Sequence, residues 1–471
     1  MSEEIKWGGN WRIPSSELKY GGELLVDSKQ GTIRLIVFYA CDFDDIYVEK
    51  LFPDEMPIIY GEISNGTKVT LSNCKVVNRH TQNFQLDTIT IFAEYMFVGA
   101  EYTQDQLSFN GYSYVFSNII EWSGLCYFDS CLDQPISYKW EIKEDVTVQC
   151  REGLSITFTP EMGALPLRCT KSELKLYQNV NVKFEYEKPV LISESLEDVK
   201  SLIHLIDIGI EDNIYIEKIK CFSNNFKEED GQYIPISAYI NQPQESLYSP
   251  EAYYNLFTLP MLTEENRLFE KWFAIYGKLK PIVDLYSSVF SYPKMPIEMV
   301  FLNAVQALET YHARFVCDKL KDYKEKAQLL IDGRPETERE LHKMQFLSTT
   351  QIDENIKYII LKSRLCDLFI CNFQFEFCNF YEERFPYKLI DSIVDTRHYF
   401  THYSSAKEQK ALSGKNLNYG IRIMRLVLEF YILNEIGFSI DHIRKVIGRR
   451  QTTITMEMKR DKEMFEMKDS Q

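Results

Sequence analysis

The chain lacks the sequence features of several large protein classes. Its 471 residues contain no run of about 18 apolar residues, which a membrane-spanning helix requires. The amino terminus is acidic and has no apolar segment of the kind found in a secretory signal. The eleven cysteines include no CxxC pair, so we expect free thiols rather than a disulfide framework or a structural zinc site. These absences favour a cytoplasmic protein without a membrane partner.

Familiar enzyme motifs are missing as well. The sequence contains no GxGxxG or GxxxxGK[ST] phosphate-binding loop, no HExxH zinc motif and no GxSxG nucleophile turn. We therefore expect a protein that uses neither a bound cofactor nor a metal ion.

A surplus of positive charge is also lacking, since 53 Lys and Arg face 69 Asp and Glu for a net charge of −16. Residues 1–263 hold 21 of the cations and 39 of the anions (net −18), which leaves 32 cations and 30 anions (net +2) for residues 264–471. A nonspecific DNA-coating protein is excluded by this balance, because phosphate binding needs clustered cations. The 14% aromatic content excludes an intrinsically disordered chain.

Short β-branched and aromatic segments separated by turns dominate residues 1 to about 190, and a helical pattern follows at 195–205. Both belong to a predicted β-rich domain of residues 1–262. Even spacing of this kind favours an antiparallel β-sandwich or barrel-like domain over a parallel sheet. An Asn-Gly turn at 65–66 predicts a hairpin. The predicted strands are 31–40, 58–63, 68–71, 88–93, 112–116, 147–150, 155–159 and 180–186, with more near 213–222.

Turn formers and prolines over 242–260 mark a domain boundary, and residues 263–450 read as an all-α bundle. Thr263 is the predicted cap of a first helix whose apolar stripe runs to Pro281. Further helices are predicted at 296–319, 353–373, 387–401, 420–436 and 440–449. The charged residues 451–471 form either a mobile tail or a partner helix. The fold class is thus α+β multidomain.

Two of the seven histidines lie in the segment DTRHYFTHY at 395–403, near a predicted helix end. A guanidinium beside an imidazole suits metal-free cleavage of RNA, because the imidazole moves the 2′-OH or leaving-group proton while arginine binds the phosphate oxygens. The alternative is a helix end at which Arg397 and His402 contact only carbonyls or water. The spacing of Arg397 and His402 does not distinguish these two interpretations.

A family resemblance adds to this reasoning. The segment LIDSIVDTRHYFTHY, residues 389–403, resembles the Arg-x4-6-His signature of HEPN ribonucleases, in which a polar residue, often Asn, follows the arginine. FLNAVQALETYHAR, residues 301–314, resembles the second-helix pattern of the ApeA-like HEPN branch. The first half resembles the ApeA N-terminal domain at Gly9–Trp11, Tyr20–Leu24, Tyr60–Gly61 with Val69–Leu71, and Ile120–Trp122.

The resemblance implies an antiphage endoribonuclease that causes abortive infection. Its HEPN domain (263–450) would homodimerise, or form a larger oligomer, so that Arg397 and His402 of both protomers form one RNA-cleaving site leaving a 2′,3′-cyclic phosphate. The β domain (1–262) would sense a phage-derived trigger, and a tRNA loop is a candidate substrate. His398 stands where the family often has Asn, and we expect it to orient Arg397 or the phosphate while His402 acts as base.

The role of two further residues and one alternative function also need consideration. Glu309 and His312 share a helix face, and we expect them to support the motif helix by facing it more than to act in catalysis. The rival is a non-catalytic HEPN module that dimerises, with a β domain that binds a protein or a glycan.

Overall fold

The computed structural model describes residues 4–27, 31–39, 52–80, 87–125, 128–131, 137–140, 143–162, 177–228, 231–241, 255–264, 267–291, 295–347, 358–372 and 385–469. The chain divides into two compact units. The β unit comprises Met1–Ile210 with Ile214–Thr263, and the helical unit comprises Glu211–Asn213 with Glu264–Gln471.

Antiparallel strands form most of the β unit. They are β1 (Glu4–Arg12), β2 (Tyr20–Asp27), β3 (Thr32–Tyr39), β4 (Glu55–Ile63), β5 (Lys68–His80), β6 (Asp87–Val98), β7 (Ser108–Phe116), β8 (Phe128–Cys131), β9 (Ser137–Trp140), β10 (Val146–Arg151), β11 (Leu154–Met162), β12 (Gln178–Leu191), β13 (Ile216–Phe222) and β14 (Ile236–Ile240). Two helices accompany them, α1 (Ile119–Ser123) and α2 (Ile192–Ile210).

The first six strands close into a barrel. Their order is β3-β2-β1-β4-β5-β6, and β6 pairs with both β5 and β3. Alternate residues of β3 are buried, as a strand with one face on a core requires. Trp11 is fully buried in this core beside Gly61, where an added Cβ would lie 2.1 Å from the indole ring. Only glycine therefore fits at position 61.

A second group of strands branches from β6. Its residues 87–93 pair with β3, whereas residues 95–98 pair with β14, from which the sheet continues through β13, β7, β12 and β11 to β10. Helix α2 packs on these strands, where the Tyr114 hydroxyl lies 2.8 Å from that of Ser195. The predicted barrel-like β domain is confirmed as a β-barrel with extra strands, and the β4–β5 hairpin pairs as expected.

Helices form the second unit. They are α3 (Leu259–Glu264), which spans the division between the units, α4 (Leu268–Ser291), α5 (Ile297–Tyr311), α6 (Leu320–Asp332), α7 (Glu336–Phe346), α8 (Leu361–Asp367), α9 (Tyr387–His402), α10 (Ser405–Glu408), α11 (Gly414–Ile436) and α12 (Ile440–Asp469). The segments His312–Val316 and Leu368–Asn372 form π-helical turns that extend α5 and α8. Helix α11 is buried on most faces and packs against α4, α5 and α12.

Several predicted helix boundaries differ from the observed ones. Thr263 lies inside α3, and its hydroxyl donates to the carbonyls of Leu259 and Pro260 instead of capping a helix start. Helix α4 continues past Pro281, because Ile282 and Val283 are fully buried and their packing outweighs the lost backbone hydrogen bond. Of the predicted helix 353–373, residues 353–357 and 373 lie outside the described residues.

The carboxyl-terminal segment is helical. Helix α12 runs on to Asp469, and ion pairs hold it against α11: Lys415 reaches Asp461 at 2.8 Å and Arg422 reaches Glu457 at 2.5 Å. Residues 451–469 are therefore helical. None of the helices in the described part of the chain combines the length and apolar character needed to cross a bilayer.

Candidate active site

The residues of the Arg-x4-His segment lie on α9. Leu389, Ile390 and Ile393 are buried on one face of this helix, and the Phe400 ring meets Phe301 of α5 edge to face at 5.7 Å. The last turns then leave the hydrophobic interior. Packing thus fixes α9 on its apolar side and leaves its carboxyl-terminal end open to a ligand.

Arg397, His398 and His402 occupy this open end. The two imidazole rings are exposed and lie nearly parallel, 6.2 Å apart at an interplanar angle of 27°. Residues four apart share a helix face, whereas Arg397 lies about 100° around the helix from His398 and about 140° from His402. The two imidazoles therefore form one pair, with the guanidinium on an adjacent face.

Arg397 is available to bind a ligand. Its guanidinium is half-buried and has no hydrogen bond or ion pair with any described residue; its carbonyl alone is engaged, by the Thr401 hydroxyl at 2.7 Å. An always-charged side chain of this kind, fixed by its helix and not neutralised by a carboxylate, is suited to bind the nonbridging oxygens of a phosphate.

The electrostatics favour a neutral imidazole at His398. Partial burial lowers its pKa, and the positive charges of Arg397 and Lys407 lower it further, along with His402. Asp395 opposes this shift. A neutral imidazole has one nitrogen that donates and one that accepts a hydrogen bond, so His398 can hold a neighbouring group in place without adding charge.

The chain after α9 folds back onto the helix and is fixed there. Lys407 forms an ion pair with Asp395, and the Leu412 amide donates to the hydroxyl of buried Thr396 at 2.7 Å. Asp395, Thr396 and Lys407 are absent from the predicted site. Only their position beside Arg397 in the sequence could have indicated the first two, and Lys407 depends on the tertiary fold of the loop.

The structure does not bring His312 to this site. His312 is fully buried in the π-helical turn after α5, with Nε2 at 2.9 Å from Asp367 and Nδ1 at 3.1 Å from Arg364. Since arginine can only donate, Nδ1 accepts and Nε2–H donates to the carboxylate. Lys326 also binds Asp367, at 2.8 Å to each oxygen. Burial is the largest cause of the lowered His312 pKa.

His312 thus makes its side-chain hydrogen bonds to α8, and its expected support of the motif helix stays a prediction. Both hydrogen-bond partners of His312 lie on α8, and none of its hydrogen bonds reaches Arg397, His398 or His402 within the described residues. Glu309 is half-buried on α5 and makes no side-chain hydrogen bond or ion pair with the described residues.

Two other arginines of the helical unit, Arg425 and Arg450, are already neutralised. Arg425 and Arg450 are largely buried and bind Glu211, at 2.9 and 2.7 Å, while Arg450 also binds Glu429 at 3.1 Å. These arginines cannot line an RNA path without breaking buried ion pairs. The described residues also include no group of three or more His, Cys, Asp or Glu side chains placed to hold a metal ion.

Comparison with known families identifies the chain. A family model described as ApeA N-terminal domain 1 matches residues 6–272, and one described as Apea-like HEPN matches residues 302–442. The chain belongs to the ApeA family. HEPN domains are generally ribonucleases, and this one includes Arg397, His398 and His402. Comparisons with curated proteins and with solved structures give no match.

Proposed function

We propose that this ApeA-family chain is an antiphage endoribonuclease that cleaves RNA by attack of the 2′-OH on the adjacent phosphate. The observation that carries the proposal is the Arg397 guanidinium, which has no hydrogen-bond or ion-pair partner among the described residues, beside the exposed His398–His402 pair at the end of a HEPN helix. This arrangement supplies phosphate binding and proton transfer together.

The proposed reaction uses these groups in one step. An imidazole, with His402 as first candidate, takes the 2′-OH proton while the 2′-oxygen bonds to phosphorus and the bond from phosphorus to the 5′-oxygen breaks. A second imidazole gives the leaving oxygen a proton, and Arg397 stabilises the charge on the nonbridging oxygens. His398 orients Arg397 or the phosphate. The products are a 2′,3′-cyclic phosphate and a free 5′-hydroxyl, formed without a metal ion.

A homodimer would complete this site. One helix places Arg397 and His402 about 140° apart, so a second copy of α9 facing the first would put the arginine of one protomer near the histidines of the other. HEPN domains commonly bind RNA and dimerise. We propose this dimer as the active form, in the cytoplasm, where RNA is present; a tRNA loop is the first substrate to test, since unpaired nucleotides can adopt in-line geometry.

Single substitutions in the full-length protein test the proposal. Arg397→Ala and His402→Ala should each lower cleavage of total RNA by about 100-fold or more. Loss of one charge-stabilising donor costs about 10² to 10³ in rate, and general acid–base catalysis contributes about 10² to 10⁴. Arg397→Lys should recover only part of the rate, since an ammonium lacks the planar guanidinium fork. His442→Ala is the matched control, because His442 lies on α12 and stacks on Phe438. Full cleavage by His402→Ala would refute the assignment.

The biological role has a separate test. We propose that the acidic β unit senses a phage-derived trigger and that cleavage then aborts the infection. Cells expressing the wild-type chain should release fewer phage and stop growing after infection, whereas cells expressing His402→Ala should lyse and release phage normally. Protection by His402→Ala would instead favour a binding module, in which the helices only dimerise and the β unit holds a protein or a glycan.

A further inference from the structure

Tyr403, the residue after His402, has an unusual conformation and an unusual exposure. It ends α9 with a φ of +49°, in the left-handed region, and 71% of its surface is exposed. Its amide closes the helix by donating to the carbonyl of Tyr399 at 2.6 Å. Its hydroxyl has no hydrogen-bond partner among the described residues.

Folding alone does not account for a tyrosine at this position. The left-handed residue that ends a helix is usually glycine, because a Cβ is crowded there. A large ring that stays mostly exposed also gains little from burial. Both considerations favour glycine or asparagine over tyrosine at position 403. Contact with a ligand is therefore the better explanation for an aromatic ring at this position.

The ring is held in place on one side. Tyr399, one helical turn earlier, meets Tyr403 edge to face with ring centroids 5.7 Å apart at 68°. The Tyr399 hydroxyl donates to Glu408 of α10 at 3.4 Å, which ties it to the loop that folds back onto α9. The Tyr403 face is thus supported within one residue of His402.

We propose that Tyr403, supported by Tyr399, is a stacking platform for the unpaired nucleobase next to the cleaved bond. An aromatic face accepts the π-face of any base and binds only a base that is not already stacked in a helix. The platform would therefore select single-stranded loops and ends over duplex RNA, with little base preference. This inference rests on the proposed ribonuclease function, because it assigns a subsite of that site.

Kinetics of Tyr403 variants on one hairpin RNA with an unpaired loop test the platform. Tyr403→Gly should raise KM by about 5- to 150-fold, the range that loss of one base–aromatic stack gives. It should keep or raise Tm, since glycine relieves the left-handed strain. Tyr403→Phe should stay within about twofold of wild type. Tyr358→Ala is the control, because Tyr358 is 65% exposed elsewhere in the helical unit and should change nothing.

A binding measurement separates this inference from the ribonuclease proposal. The probe is the same loop with 2-aminopurine beside the target linkage and a 2′-deoxy sugar that prevents cleavage. Wild type and Tyr403→Phe should quench its fluorescence, and Tyr403→Gly should not. If wild type cleaves no RNA, the ribonuclease proposal fails. Equal KM and equal quenching in wild type and Tyr403→Gly would overturn the platform. So would light scattering that shows a dimer for wild type but a monomer for Tyr403→Gly, because Tyr403 would then act in dimer formation.

Discussion

The buried Glu429 of α11 should make the stability of the helical unit depend on pH. Only 2% of its side chain is exposed, and it accepts hydrogen bonds from the Tyr286 hydroxyl at 2.9 Å and from Arg450 at 3.1 Å. Burial, which disfavours the charged form, raises its pKa to about 7 from an ordinary value of 4.5. Glu211, in the same cluster, has a lowered pKa because Arg425 and Arg450 face it.

The sign and size of the effect follow from the raised pKa of Glu429. Between pH 4.5 and 7 the folded carboxyl holds a proton that the unfolded chain releases, so stability falls as pH rises. The slope approaches about 1.4 kcal/mol per pH unit, which sums to about 2 kcal/mol between pH 5 and pH 7. Glu211 contributes with the opposite sign, because its lowered pKa makes stability fall as pH drops.

Comparison of wild type with Glu429→Gln isolates this term. The glutamine stays neutral at every pH, so subtracting its free energy of unfolding in urea removes the contribution of the titrating groups that do not interact with Glu429. The wild-type value should fall by about 2 kcal/mol relative to Glu429→Gln between pH 5 and pH 7. Parallel pH profiles of the two proteins would refute the reasoning, because Glu429 would then have the same pKa in the folded and unfolded states.

Two further substitutions test buried contacts, a hydrogen bond in the helical unit and a ring contact in the β unit. Asp367→Asn removes the carboxylate that accepts from His312 and should lower the free energy of unfolding by about 2 kcal/mol, measured in urea; no change would contradict a charge-assisted bond there. Gly61→Ala places a Cβ against the Trp11 ring and should cost about 1 to 3 kcal/mol, seen as a lower Tm. Gly8→Ala, which meets nothing within 4 Å, is its control, and an equal Tm for both would show that the barrel core accommodates a methyl at 61.

Local sequence patterns predicted much of the β unit but not its closure. Alternation and the Asn-Gly turn depend on neighbouring residues, and the hairpin of β4 and β5 formed as expected. The barrel closes through β1 with β4, where Gly9 pairs with Ile63, and through β5 with β6. Such pairs join distant residues, so no short sequence window contains them. The helical form of the charged residues in α12 could not be predicted for the same reason, because their ion-pair partners on α11 are distant in sequence.

The candidate site shows the same division between local and tertiary information. Arg397, His398 and His402 stand close in sequence, so their shared helix end could be predicted. His312 pairs with Asp367, 55 residues away, because the buried imidazole needs a hydrogen-bond acceptor, and no local pattern indicates that partner. The left-handed Tyr403 has no local signal, since residue type would favour glycine there.

The most direct test of the central claim is the chemistry of the cleaved bond. The purified protein should cut a hairpin RNA at one loop linkage and leave a 2′,3′-cyclic phosphate, identified by mass spectrometry. It should leave intact the same RNA with a single 2′-deoxy sugar at that linkage. Because the 2′-OH is the proposed nucleophile, cleavage of the 2′-deoxy RNA at the same linkage, or a product with a plain 3′-hydroxyl, would contradict the account.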